Sequence, residues 1–212
     1  QVKSRIHATS QVPAKKTRFI TYCQRIAAIL LLPAIIAIVA LMMKKDHQEP
    51  LIAYNEVTAP YGMVSSLTLP DSSKVWLNAG STLKYPTAFT SNVREVEMSG
   101  EAYFEVHADK EHPFIVNTGD LKVTATGTAF NICSFAKAQE EVITLVTGKV
   151  AVSQENNIKH LLPGQQLNYQ RASKSMEITD IDTYKYISWK DGILAFRDDP
   201  LKSICNRLEQ VY

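Results

Sequence analysis

The side chains best able to do chemistry gather in one stretch. Gly100-Glu101-Ala102-Tyr103-Phe104-Glu105-Val106-His107, with His112 close behind, sets two carboxylates, a phenol and an imidazole at alternate positions. In an extended chain Glu101, Tyr103, Glu105 and His107 share one face, with neighbours about 7 Å apart. Such a set could ligate a divalent metal or do acid–base work. The same spacing also describes the watered side of a strand whose other side buries Ala102, Phe104 and Val106. No matching cluster elsewhere completes a metal site, so the strand reading is preferred and neither metal nor cofactor is expected.

Other chemistry is absent from the sequence. There is no Gly-x-Ser-x-Gly and no Cys-x-x-Cys, and Gly119, Gly127 and Gly148 are not spaced as a phosphate loop. The three cysteines do not make a disulfide scaffold. Cys133 and Cys205 could pair, but one falls in a strand region and the other in a following helix, which weighs against it. Cys23 precedes the apolar run, so it is not the acylated cysteine of a lipoprotein, and it reads as a reduced cytoplasmic thiol.

The elements that position these residues begin with a strongly uneven charge. The chain has 212 residues, with 23 Lys+Arg against 21 Asp+Glu. Residues 1–25 hold Lys3, Arg5, Lys15, Lys16, Arg18 and Arg25 and no acid, whereas every acid lies in residues 46–212. A basic head thus precedes an acidic body, which argues against direct nucleic-acid binding. Between them Ile26–Met43 carries no charged side chain. As a helix it would be about 27 Å long at about 1.5 Å per residue, close to a bilayer core of about 30 Å. It lacks a polar stripe and a small-x-small cleavage site, so a transmembrane helix is expected rather than a core helix or a cleaved signal. The basic head then lies in the cytoplasm and can also contact lipid. Pro33 is expected to kink the span, as membrane helices tolerate. The chain opens on Gln1 rather than Met, so an upstream start is expected.

After a polar connector, residues 44–60, the period changes to two. Met63–Leu69, Val75–Leu77, Glu101–His107, Leu121–Thr126, Val142–Val146 and Val150–Val152 alternate as half-buried strands. Turn residues separate them: Pro70-Asp71-Ser72-Ser73, Asn78-Ala79-Gly80-Ser81, Asn117-Thr118-Gly119-Asp120 and Pro163-Gly164. Alternation with one polar face argues an antiparallel sandwich, barrel or roll. Beyond a connector at 171–187 the pattern shifts again. Gly192-Ile193-Leu194-Ala195-Phe196 reads as a strand, and Asp198-Asp199-Pro200 as a helix start. Leu201, Ile204, Cys205 and Leu208 make one helical stripe. That helix still runs at Tyr212, so more chain is expected after it.

These pieces resemble the FecR family of membrane-anchored sigma-factor regulators of the Bacteroidota type. The matching residues, in family order, are Tyr61-Gly62, Leu67–Ser81, Leu83–Pro86, Arg94-Glu95-Val96, Ser99–Val106, Pro113–Val116, Gly127-Thr128-Ala129-Phe130-Asn131-Ile132, Gly148-Lys149-Val150 and Leu162–Gln166. Ser72 stands where the family usually has Gly. The resemblance makes Gly100, Glu101, Tyr103, Phe104, Gly127, Thr128, Phe130, Pro163 and Gly164 structural rather than catalytic. It implies a mainly β fold: one transmembrane helix, an antiparallel all-β sandwich or roll at 61–170 in the periplasm, then at 188–212 the start of a small α+β domain like the short secretin/TonB N-terminal fold.

The resemblance further implies a bacterial inner-membrane anti-sigma factor without enzyme activity. It would relay a signal from the signalling domain of an outer-membrane TonB-dependent transporter to a cytoplasmic extracytoplasmic-function sigma factor, through regulated proteolysis. Ile193, Leu194, Ala195 and Phe196 are the candidate partner-binding strand. Twenty-five residues are few for the family's sigma-binding helices. The alternative is an anchored periplasmic β-sandwich that binds carbohydrate or another small ligand, with Trp76, Tyr85, Tyr103 and Phe104 as the aromatic pool for a sugar site.

Overall fold

A computed structural model describes residues 53–196, together with 22, 25, 26, 29, 31, 33–39, 199, 201, 204, 205 and 208. The chain divides into two units, Gln1–Pro50 and Leu51–Tyr212. In the first unit every described residue is helical and exposed, Pro33 included. Among the described residues no helix is long and apolar enough to cross a membrane. Much of the expected span, the basic head up to Arg18 and Cys23 lie outside the described residues.

The described residues of the second unit form thirteen strands. They are β1 Tyr54–Thr58, β2 Ser65–Thr68, β3 Lys74–Leu77, β4 Thr82–Pro86, β5 Arg94–Glu105, β6 Phe114–Asn117 and β7 Lys122–Ala125. β8 Ala129–Ser134, β9 Glu140–Thr147, β10 Val150–Gln154, β11 Asn157–Leu161, β12 Gln165–Gln170 and β13 Ser175–Asp180 follow. A short helix, α1 (Tyr184–Ile187), and a 3-10 turn, Ser188–Asp191, come next. One sheet runs β1-β4-β5-β6-β7-β10-β11 and the other β2-β3-β5-β8-β9-β12-β13.

The long strand β5 belongs to both sheets. Its first half pairs with β4 and β6, its second half with β3 and β8. Gly100 stands at the changeover with φ +107°, and a Cβ there would lie 2.6 Å from the Ser81 Cα. Only glycine fits a positive φ against a neighbouring backbone that close. The inward residues of both sheets form one apolar core: Leu83, Val96, Phe114, Val123 and Val152 from one side, Val75, Phe104, Phe130, Ile143 and Leu167 from the other. Phe104 stacks on Phe130 at 5.2 Å and meets Phe114 at 6.1 Å.

The structure corrects the sequence reading at four places. β5 and β6 are parallel, so the fold is mixed rather than wholly antiparallel. β1 lies in the stretch read as a connector; its exposed Tyr54, Asn55 and Glu56 sit on an edge strand against β4, so burial does not alternate cleanly. β13 lies in the second connector, pairing with β12 and half-burying Met176 and Ile178. Ile193, Leu194, Ala195 and Phe196 are not a strand. Gly192, at φ 77°, closes the 3-10 turn, and the Ile193 N–H donates to the Ser188 carbonyl instead of to a ladder. The described residues 201, 204, 205 and 208 are helical, as their stripe implies.

Ser72 adopts a positive φ of 70°, a conformation that residues with side chains rarely take. Asp71 holds the turn. Its Oδ1 accepts from the Ser73 N–H at 3.0 Å and its Oδ2 from the Ser73 hydroxyl at 2.6 Å. Such self-bonding by an Asx residue stabilises a turn in which Ser tolerates the left-handed region.

Candidate functional site

Period two gives the second sheet an inner apolar face and an outer polar one. On the outer face one row crosses six strands in register: Trp76, Tyr103, Asn131, Thr144, Gln166 and Thr179. The sequence reading left this face to water. Instead Tyr103 is 4% exposed, Asn131 2%, Thr144 0% and Gln166 4%. The Gln166 amide donates to the Thr144 hydroxyl at 2.9 Å.

Trp189 of the 3-10 turn lies on this face, 2% exposed. Its Nε1–H donates to Asn131 Oδ1 at 3.2 Å. The Asn131 amide donates to Glu101 Oε1 at 3.0 Å, and Asn78 Nδ2 donates to Glu101 Oε2 at 2.7 Å. A buried carboxylate is thereby satisfied by two amides, and the relay runs from the C-terminal segment to the end of β3. Lys190 sits 5.9 Å from the Trp76 ring centre and 5.5 Å from that of Tyr103, and the two rings are 5.7 Å apart. Burial, and then the charges of Glu105 and Asp191, push the Tyr103 phenol up to about 12.

A cleft of about 650 Å³ opens between the sheet and the C-terminal segment. Glu101, Asn131 and Cys133 line its sheet side, and Lys185, Tyr186 and Phe196 the other. Lys185 is ion-paired with Asp199. Ile193 and Phe196 are exposed, whereas Leu194 and Ala195 are half-buried. Cys133 and Cys205 form no disulfide.

Two arginines brace the loops around this face. Arg171 donates through Nε to Asp120 at 2.8 Å, through Nη1 to the carbonyls of Phe135 and Ala138, and through Nη2 to Glu141 at 3.2 Å. Glu141 is buried in β9; desolvation raises its carboxyl, and the Thr118 hydroxyl and Arg171 oppose that rise. Arg94, also buried, bonds Asp71 Oδ2 at 2.6 Å and the carbonyls of His107 and His112.

The constellation first picked out for chemistry does not converge. Glu101 and Tyr103 are buried beneath the C-terminal segment, whereas Glu105 and His107 are exposed. His112 bonds Asp109 at 2.8 Å in the loop after β5. Among the described residues no three His, Cys, Asp or Glu are placed to hold a metal ion. The aromatic pool disperses as well: Trp76 and Tyr103 adjoin, but Phe104 is in the core and Tyr85 is on the other sheet. Gly100, Phe104 and Phe130 act structurally, and Gly164 turns the chain between β11 and β12, its N–H on the Leu145 carbonyl at 3.0 Å. Sequence reasoning missed Asn78, Asn131, Trp189, Lys190 and the two arginines. Asn131 looks like any outward polar strand residue. Trp189 was the one available signal, a large aromatic side chain in the segment that follows the last strand.

Residues 55–159, from within β1 to within β11, match the family model described as FecR protein. Two crystal structures of a "putative anti-sigma factor" from Parabacteroides distasonis ATCC 8503, at 2.50 and 1.65 Å, are similar to this chain. Each is 35% identical with a TM-score of 0.71. The first similarity covers 76% of this chain and 75% of that one, the second 74% of each. No curated protein matches the chain.

Proposed function

The chain belongs to the FecR family of anti-sigma factors, and from that premise we propose that it is a single-pass inner-membrane regulator with its N-terminus in the cytoplasm. Its apolar run 26–43 is the anchor, and the sandwich stands in the periplasm. There the C-terminal region reads the signalling domain of a TonB-dependent outer-membrane transporter, and the cytoplasmic side answers by controlling an extracytoplasmic-function sigma factor. The family is regulatory rather than catalytic, and no enzyme activity is assigned to this chain.

The observation that carries the anti-sigma role is the 35% identity to the Parabacteroides structures over about three quarters of each chain. The charge division supports the topology: a basic, acid-free head before an uncharged run, then all the acids. The seating of the C-terminal segment on the sandwich supports a reading role for that end. The carbohydrate alternative loses its basis, because Tyr103 and Phe104 are buried and Lys190 lies over the Trp76–Tyr103 pair.

The test is a sigma-dependent reporter in cells that carry the regulator, the sigma factor encoded beside it and the cognate transporter. The expected result is co-purification of the sigma factor with the regulator and a reporter response to transporter substrate that disappears when residues 184–212 are removed. A response that survives this removal overturns the relay.

A further inference from the structure

We propose that residues 184–196 form a detachable strap on the outer face of the second sheet, with Trp189 as its latch. Docked, the strap covers Tyr103 and Asn131. Released, it leaves them to water while both sheets stay intact.

The first ground is the chemistry of the covered face. Tyr103, Asn131, Thr144 and Gln166 are polar yet buried. The hydroxyls and amides of this face gain less from cover than an apolar face does, and water can replace their lost partners, so the apolar part of the hold comes from the Trp189 ring. The opposite face, with Val75, Phe104, Phe130 and Leu167, has no such freedom.

The second ground is how the strap is held. Its backbone bonds close locally: Tyr186 N–H to the carbonyl of Thr183 just before it, Gly192 N–H to Trp189, and Ile193 N–H to Ser188. It contributes no strand to the sheet ladders, so release breaks none of them. Trp189 anchors it to the sheet by burying its ring and donating to Asn131, with Lys190 over the Trp76 and Tyr103 rings.

The third ground is a defect in the docked state. The Ser188 hydroxyl is buried without a hydrogen-bond partner. An unmade bond of this kind penalises the docked form, and release would hydrate it. The orphan hydroxyl thus lowers the cost of releasing the strap. When the strap leaves, Asn131 loses the donor on its Oδ1, and Glu101 beyond it is the next group to feel the change. Resting on the anti-sigma reading above, the strap is the step by which an event on the chain beyond residue 196 reaches the sandwich.

Hydrogen exchange of the full chain tests this. Amides of 186–193 are expected to exchange at least about tenfold faster than those of β5 and β8, through a local opening. Trp189→Ala should speed strap exchange further and leave β5 and β8 unchanged. Ser188→Ala, which removes the orphan hydroxyl, should slow it. Equal protection of strap and sheet overturns the proposal. So does a Trp189→Ala effect that is absent or spreads to β5 and β8, or a Ser188→Ala variant that does not slow the strap. These rates involve no sigma factor, so failure here leaves the anti-sigma role standing, and failure of the reporter experiment leaves the strap standing.

Discussion

Tyr103 shows how one residue can be read correctly for direction and wrongly for surroundings. Alternation placed it on the outward face of its strand, and there the structure sets it beside Trp76. What alternation cannot reveal is a later segment folding over it, and that cover raises its phenol to about 12. The unfolded phenol gives up its proton near 10. Between these values the unfolded chain binds fewer protons than the folded one, so stability falls as pH rises. The stabilisation is complete below pH 10 and is lost through 12. Tyr103→Phe should therefore resemble the parent chain below pH 10 and lack a loss of about 2–3 kcal/mol that the parent suffers above it. Denaturant unfolding of both proteins across that range checks the difference.

At the scale of elements, legibility followed burial. β3, the second half of β5, β7, β9 and β10 have clean inner faces, and each was readable from period two. The edge strand β1 was not, because most of its side chains are exposed. The parallel pairing of β5 with β6 was hidden too, since spacing along a strand says nothing of its neighbour's direction. Residues 193–196 misled for the opposite reason: their apolar run is strand-like, but Gly192 ends a 3-10 turn and the Ile193 N–H bonds back to Ser188 rather than to a ladder. Buried amides such as Asn131 carry no sequence mark, because an outward polar residue is the same letter whether water or Trp189 meets it. Within β5 the critical point is the changeover. Gly100→Ala combines a φ of +107° with a Cβ 2.6 Å from Ser81 Cα. The strain and overpacking together should cost about 3 kcal/mol or more. A fall of that size in urea-unfolding free energy is expected, and a loss under about 1 kcal/mol would show that the bend can be made without glycine.

For the molecule as a whole, one core serves two sheets. Phe104 touches both, stacked on Phe130 of one and tilted against Phe114 of the other. Phe104→Ala should destabilise the sandwich by about 3–5 kcal/mol. Because the core is continuous, the loss should appear as one shifted transition, coincident by circular dichroism and by Trp76 fluorescence measured on a Trp189→Phe background. Two separated transitions would mean that the sheets are independent.

The shared strand also sets a timetable. A chain emerging from its N-terminal end presents β1 to β4 first, and these can make only the β1–β4 and β2–β3 pairings. Each of those pairs is an open-edged, two-stranded ribbon, marginal in water by itself. Until residue 105 has emerged neither sheet has its spine, and until β12 has emerged the second sheet lacks the strand that carries Leu167 into the core. Assembly is therefore held back by the connectivity, and a long nascent stretch with open strand edges must be kept apart from its neighbours until the shared strand arrives. For a protein of this topology the demand on chaperones is written into the position of one strand.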